Sequence, residues 1–135
     1  MALSVLAATR SIRAAHRSTL ALPLRAGLLL GCCAASGLAL WMGDPSGYLQ
    51  ADPALARLLR GMAVIKGLLA LGAVGVVYWR LASPVTKFGA MVYIAGSSLL
   101  AGSTMLIWQL SYIVAAAVVF HLAALSLLVV GWRDR

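Results

Sequence analysis

The chain has 135 residues, of which 63% are hydrophobic and 10% charged, and its mean hydropathy is +0.98. A soluble domain is about half apolar and about a quarter charged, so these values exclude a cytosolic globular enzyme, a disordered tail and a disulfide-stapled secreted domain. What remains is one integral membrane domain, and the net charge of +8 then reads as an orientation signal and as contact with anionic lipid headgroups. Nucleic acid is not the expected partner, because no groove-reading motif accompanies the basic residues.

Residues 1–24 carry Arg10, Arg13, Arg17 and His16 without an acidic residue. The three arginines share one helical face at i, i+3 and i+7, opposite Val5, Ala8, Ile12 and Ala15. The expectation is a basic amphipathic segment on the inner leaflet. An organelle transit segment is the alternative, since it has the same Arg-rich, acid-poor composition.

Charge spacing then marks the spans. Arg25 and Asp44 bracket an uncharged run at 26–43, which is long enough to cross a hydrocarbon core of about 30 Å. Arg60 and Arg80 bracket 61–79, interrupted by Lys66. Lys87 and Arg133 bracket 88–132, and as one helix that run would be about 67 Å long, twice what a bilayer needs. It must fold back, and the polar, aromatic-flanked break is Trp108-Gln109-Leu110-Ser111-Tyr112. The expected fold is therefore an all-α membrane protein, a bundle of four transmembrane helices at about 25–43, 58–80, 87–108 and 112–132.

The joints agree with this division. Gly43-Asp44-Pro45-Ser46-Gly47 is turn chemistry, Asp52-Pro53 is expected to cap the approach to the second span, and Ser83-Pro84 separates the second from the third. Trp41, Tyr48, Trp108 and Tyr112 fall at one interface, and Tyr78, Trp79, Phe88 and Trp132 at the other, as an aromatic belt requires. Eight Lys and Arg lie on the side of the termini and the 80–87 loop, against Arg57 and Arg60 on the other. This bias places both termini in the cytoplasm, and the Ala/Leu/Gly/Arg-heavy usage points to a bacterial inner membrane.

Helix association in lipid depends on small residues that allow close approach. The first helix offers Gly27, Gly31, Ala35 and Ala39 at four-residue spacing, the second Ala63 and Gly67, and the third Gly89, Gly96 and Gly102. These stripes are expected to pack the helices together, or in part to face a partner subunit. Beside the third-helix glycines run Ser97, Ser98, Ser103 and Thr104. Their hydroxyls either bond back to their own helix or line a polar path.

Three intramembrane groups carry chemistry. Lys66 is the one formal charge inside a span, about one turn outward of the centre of its helix, with no carboxylate in any span to pair with it. Snorkelling toward Arg60 and Arg57 is one reading, and an ion or partner-carboxylate role is the other. His121 lies near the centre of the fourth helix and reads as a hydrogen-bonded packing residue, or as one haem or metal ligand. A self-contained bis-histidine haem is excluded, since the second histidine, His16, is on the tail. Cys32-Cys33 is a vicinal pair that reads as buried reduced thiols, or with His121 as a soft-metal cluster. No cofactor is expected. The size and four spans are similar to those of small multidrug exporters, but the membrane-embedded Glu that those proteins need is missing, because all three acids are Asp.

No nucleophile, base or metal set makes an enzyme of this chain. The leading expectation is a non-catalytic accessory subunit of a larger inner-membrane complex, with other membrane subunits or its own copies as partners. The alternatives are a small homo-oligomeric transporter or channel using Lys66 and the hydroxyl stripe, and a redox subunit with His121 as a ligand.

Overall fold

The computed structural model describes the backbone of residues 2–44 and 52–134, and side chains within 22–44 and 52–134. The arginines and histidine of the amino-terminal segment, the residues 45–51 that include Tyr48, and Arg135 lie outside the described side chains. The described residues form four helices: α1 (Ala2–Met42), α2 (Pro53–Arg80), α3 (Lys87–Trp108) and α4 (Ile113–Arg133). Each is long and apolar enough to cross a membrane, α1 through its Leu22–Met42 part. α1 runs through Pro23 without a break at the 24/25 boundary drawn from composition.

The helix ends follow from local chemistry. α2 starts at Pro53, five residues before the boundary expected from charge, because the Asp52 side chain accepts from the backbone N–H groups of Ala54 and Leu55 at 2.8 and 3.2 Å. Pro53 sits in the first turn, where no N–H is needed. Arg57 therefore lies on the helix, with Arg60, rather than before it. Thr86 caps α3 by accepting from the Gly89 N–H at 3.0 Å.

The reversal between α3 and α4 is a Schellman turn. Ser111 N–H donates to Leu106 O at 2.9 Å and Leu110 N–H to Ile107 O at 3.0 Å. The left-handed position is held by Leu110, at φ 61°, rather than by the usual glycine. Its side chain is fully buried, which offsets the backbone cost of about 1–2 kcal/mol. Tyr112 then enters α4, also left-handed at φ 49° but exposed.

α3 is the centre of the bundle. It packs against each of the other three helices, and none of those three packs extensively on another. Half of its apolar window is buried, against 11–17% for the others. The small residues explain the closeness. A Cβ on Gly31 of α1 would meet Ser98 Oγ of α3 at 2.5 Å, and one on Gly102 of α3 would meet Ala35 O of α1 at 3.2 Å. Gly27 of α1 faces Ile94 in the same row. A Cβ on Gly96 would meet Leu127 of α4 at 2.9 Å, and one on Gly67 of α2 would meet Thr104 of α3 at 3.5 Å. Gly37, Gly61, Gly72, Gly75 and Gly131 have open space instead.

Leu28, Ala70, Val77, Leu81, Tyr93, Leu100, Phe120, Ala123 and Leu127 form the main core. A smaller cluster of Ala63, Ile107 and Ala116 joins α2, α3 and α4 nearer the Trp108 end. The aromatic side chains at both ends are exposed, Trp41, Trp108 and Tyr112 at one and Trp79, Phe88 and Trp132 at the other.

Candidate functional site

The hydroxyls of α3 are largely spent within the helix. Ser98 Oγ donates to Ile94 O at 2.8 Å, Thr104 Oγ1 to Leu100 O at 2.8 Å, and Ser103 Oγ to the same carbonyl at 3.1 Å. This is the back-bonding that hides a hydroxyl from lipid. Ser97 differs: it is fully buried, and its Oγ has no hydrogen-bond partner.

Lys66 leaves α2 half-buried and crosses toward α4, where its Nζ stands 4.7 Å from the centroid of the Phe120 ring. A cation over an aromatic face is attracted by the ring quadrupole, by more than about 1 kcal/mol where water is scarce. Phe120 lies three residues from the middle of α4, about 4.5 Å of helix rise toward the Ile113 end. Among the described residues, no carboxylate lies within ion-pair distance of Lys66, since Arg80–Asp134 is the pair formed there.

His121 is exposed on the outer surface of α4, two residues from its midpoint. Its Nδ1 is 2.6 Å from Ala117 O. A carbonyl can only accept, so Nδ1 carries the proton there, and Nε2 is left without a partner among the described residues. Cys32 is half-buried and faces the Ser98 hydroxyl, while Cys33 is exposed. Both lie on α1, which meets α3 rather than α4. The structure thus does not bring Cys32, Cys33 and His121 together, and no group of three potential metal ligands forms among the described residues.

A polar cluster that the sequence reading missed closes the Arg80 end. Tyr93 of α3, itself 3% exposed, donates its hydroxyl to Asp134 Oδ2 at 2.9 Å. Arg80 of α2 reaches the same carboxylate oxygen at 3.6 Å. Three helices meet on one carboxylate. Nearby, Arg25 of α1 donates Nε–H to Tyr78 O of α2 at 3.1 Å, with its guanidinium 4.6 Å from the Tyr78 ring centroid. The signal available in sequence was that Asp134 is the one acid among the basic residues of that end.

Between α2 and α4 lies a lateral groove of about 650 Å³, floored by Tyr93 and Leu100 of α3. Its walls are Leu69, Ala73 and Val76 on one side and Phe120, Ala124 and Leu128 on the other. Arg80, Asp134, Trp79 and Trp132 stand at one end, and Lys66 lies over Phe120 at the other.

No protein family, curated protein or solved structure matches the chain.

Proposed function

We propose that the chain is a non-catalytic subunit of a larger membrane assembly, set in a bacterial inner membrane with both termini cytoplasmic. The observation that carries this reading is His121. An ionisable ring halfway along a membrane helix is costly against lipid and ordinarily faces a protein interior. Here it faces outward with Nε2 unsatisfied, and a partner helix offering a hydroxyl or amide donor would complete it. The open glycines of α2, Gly61, Gly72 and Gly75, add surface that a second protein can approach closely. The Lys and Arg bias toward the Arg80 end supports the orientation.

The homo-oligomeric transporter has less behind it. The hydroxyls of Ser98, Ser103 and Thr104 are bound to their own carbonyls and offer a solute little.

The test is purification of the natively expressed, tagged protein in mild detergent, followed by native gel and mass spectrometry. A stoichiometric larger partner is expected, and its recovery should fall with His121→Leu while the isolated chain keeps its stability. A lone homo-oligomer, unaffected by that substitution, would overturn the reading.

A further inference from the structure

We infer that the α2–α4 groove holds one acyl chain of an anionic phospholipid from the leaflet at the Arg80 end, with the lipid phosphate on Arg80. The groove is matched to that occupant in length, chemistry and charge. From Leu69 to Arg80 it runs about 16 Å along α2, about half of a hydrocarbon core of 30 Å, which is the depth of one leaflet. Its walls are apolar throughout that length. At its far end, near the bilayer middle, Lys66 lies across Phe120, and the Ala63–Ile107–Ala116 cluster lies beyond, nearer the Trp108 end. A chain entering from the Arg80 end therefore reaches the Lys66–Phe120 contact after about one leaflet's depth.

The mouth supplies what a headgroup needs. Trp79 and Trp132 flank it, both strongly exposed, at the level where indoles sit among headgroups. The described residues of that end carry four cations, Arg25, Arg80, Lys87 and Arg133, against one acid, Asp134. Arg80 is the cation that lines the groove, and its contact with Asp134, at 3.6 Å, is longer than a full charge-assisted hydrogen bond. A guanidinium with five donors can hold Asp134 with one edge and a phosphate with the other. A neutral zwitterionic lipid would fill the same walls but gain less at the mouth.

The inference stands apart from the subunit reading, because it concerns the isolated chain. The experiment measures lipid retained per chain by mass spectrometry, after delipidation of the purified protein and titration with phosphatidylglycerol or phosphatidylcholine of the same acyl chains. One phosphatidylglycerol per chain is expected, bound about fivefold or more tighter than phosphatidylcholine, as one basic side chain near a phosphate supplies. Two variants break the Arg80–Asp134 pair with opposite consequences. Arg80→Gln should lose the preference, whereas Asp134→Asn, which removes the repelling carboxylate while Arg80 keeps its 3.5 Å contact with the main-chain oxygen of that residue, should increase it. Ala124→Phe, which fills the groove wall, should reduce retention of both lipids. The inference is overturned if the two lipids bind alike, if Arg80→Gln and Asp134→Asn shift retention in the same direction, or if retention survives filling of the groove. The last result would leave the groove to a protein helix.

Discussion

Gly31 tests the packing of α1 on α3 at a single atom. A methyl group there would lie 2.5 Å from Ser98 Oγ, closer than real contacts allow, while its next neighbours, Ile94 Cγ2 and Ser98 Cβ, are at an ordinary 3.6 and 3.7 Å. Ser98 Oγ is not free to swing away, because it donates to Ile94 O at 2.8 Å. Gly31→Ala must therefore break that bond, worth about 0.6–1 kcal/mol in a membrane, or force the helices apart at an overpacking cost of about 1–3 kcal/mol. The gain in helix propensity, about 1 kcal/mol, works the other way. The net change runs from about zero to a loss of about 2 kcal/mol, so Gly31→Ala should lie about 0.6–3 kcal/mol below Gly37→Ala, which takes the same propensity gain without the clash. Adding Ser98→Ala removes the clashing oxygen, so the double variant should recover and even exceed the stability of Ser98→Ala alone by up to about 1 kcal/mol. Gly37→Ala is the control: nothing lies within 4 Å of its Cβ, and it should be neutral or stabilising. Reversible unfolding in mixed micelles, followed by circular dichroism, measures all four proteins. If Gly31→Ala proves as harmless as Gly37→Ala, or if Ser98→Ala fails to rescue it, α1 does not meet α3 through this pair.

Three further outcomes are expected in the same assay. Gly102→Ala should cost about 1–2 kcal/mol without rescue by Ser98→Ala, since its Cβ would press on the Ala35 backbone oxygen at 3.2 Å, which cannot rotate aside. Tyr93→Phe should cost about 1 kcal/mol by removing the bond to Asp134 while leaving the Arg80 pair, so a loss beyond 3 kcal/mol would mean that the three-helix cluster does not survive without the hydroxyl. Tyr112→Asn should raise stability by up to about 1 kcal/mol, because asparagine tolerates the left-handed backbone and the exposed ring gives up little packing; a loss would show that the ring anchors the turn at the membrane surface.

Much of the fold was legible because a membrane leaves few choices. Uncharged runs had to be helices, and a 45-residue run had to reverse; length required the turn, and the polar break Gln109–Ser111 between Trp108 and Tyr112 placed it. The start of α2 was misread for a reason that is equally physical: charged residues end the lipid-buried stretch, not the helix, and Asp52 caps a further turn and a half beyond it. Small-residue stripes were visible, but a stripe does not say which helix it faces. That Gly31 meets Ser98, and Gly96 meets Leu127, depends on helix rotation that no one-dimensional pattern records. The same limit hid the Tyr93–Asp134–Arg80 cluster, in which Tyr93 and Arg80 stand 41 and 54 residues from Asp134. His121 was found as a residue, and its outward direction was not, because an alanine- and leucine-rich helix such as α4 has no polar face to orient it.

The central position of α3 also sets an order of events during synthesis. The first two membrane segments leave the ribosome with little to hold each other, apart from the grip of Arg25 on the last turn of α2. The glycine row of α1 and the Gly67 face of α2 both await a helix that has not yet been translated. Assembly is therefore deferred until residues 87–108 enter the bilayer and is completed by the hairpin that follows. A nascent chain halted before Lys87 would present two inserted helices with unfilled faces, the condition that membrane proteases and insertion chaperones are built to detect.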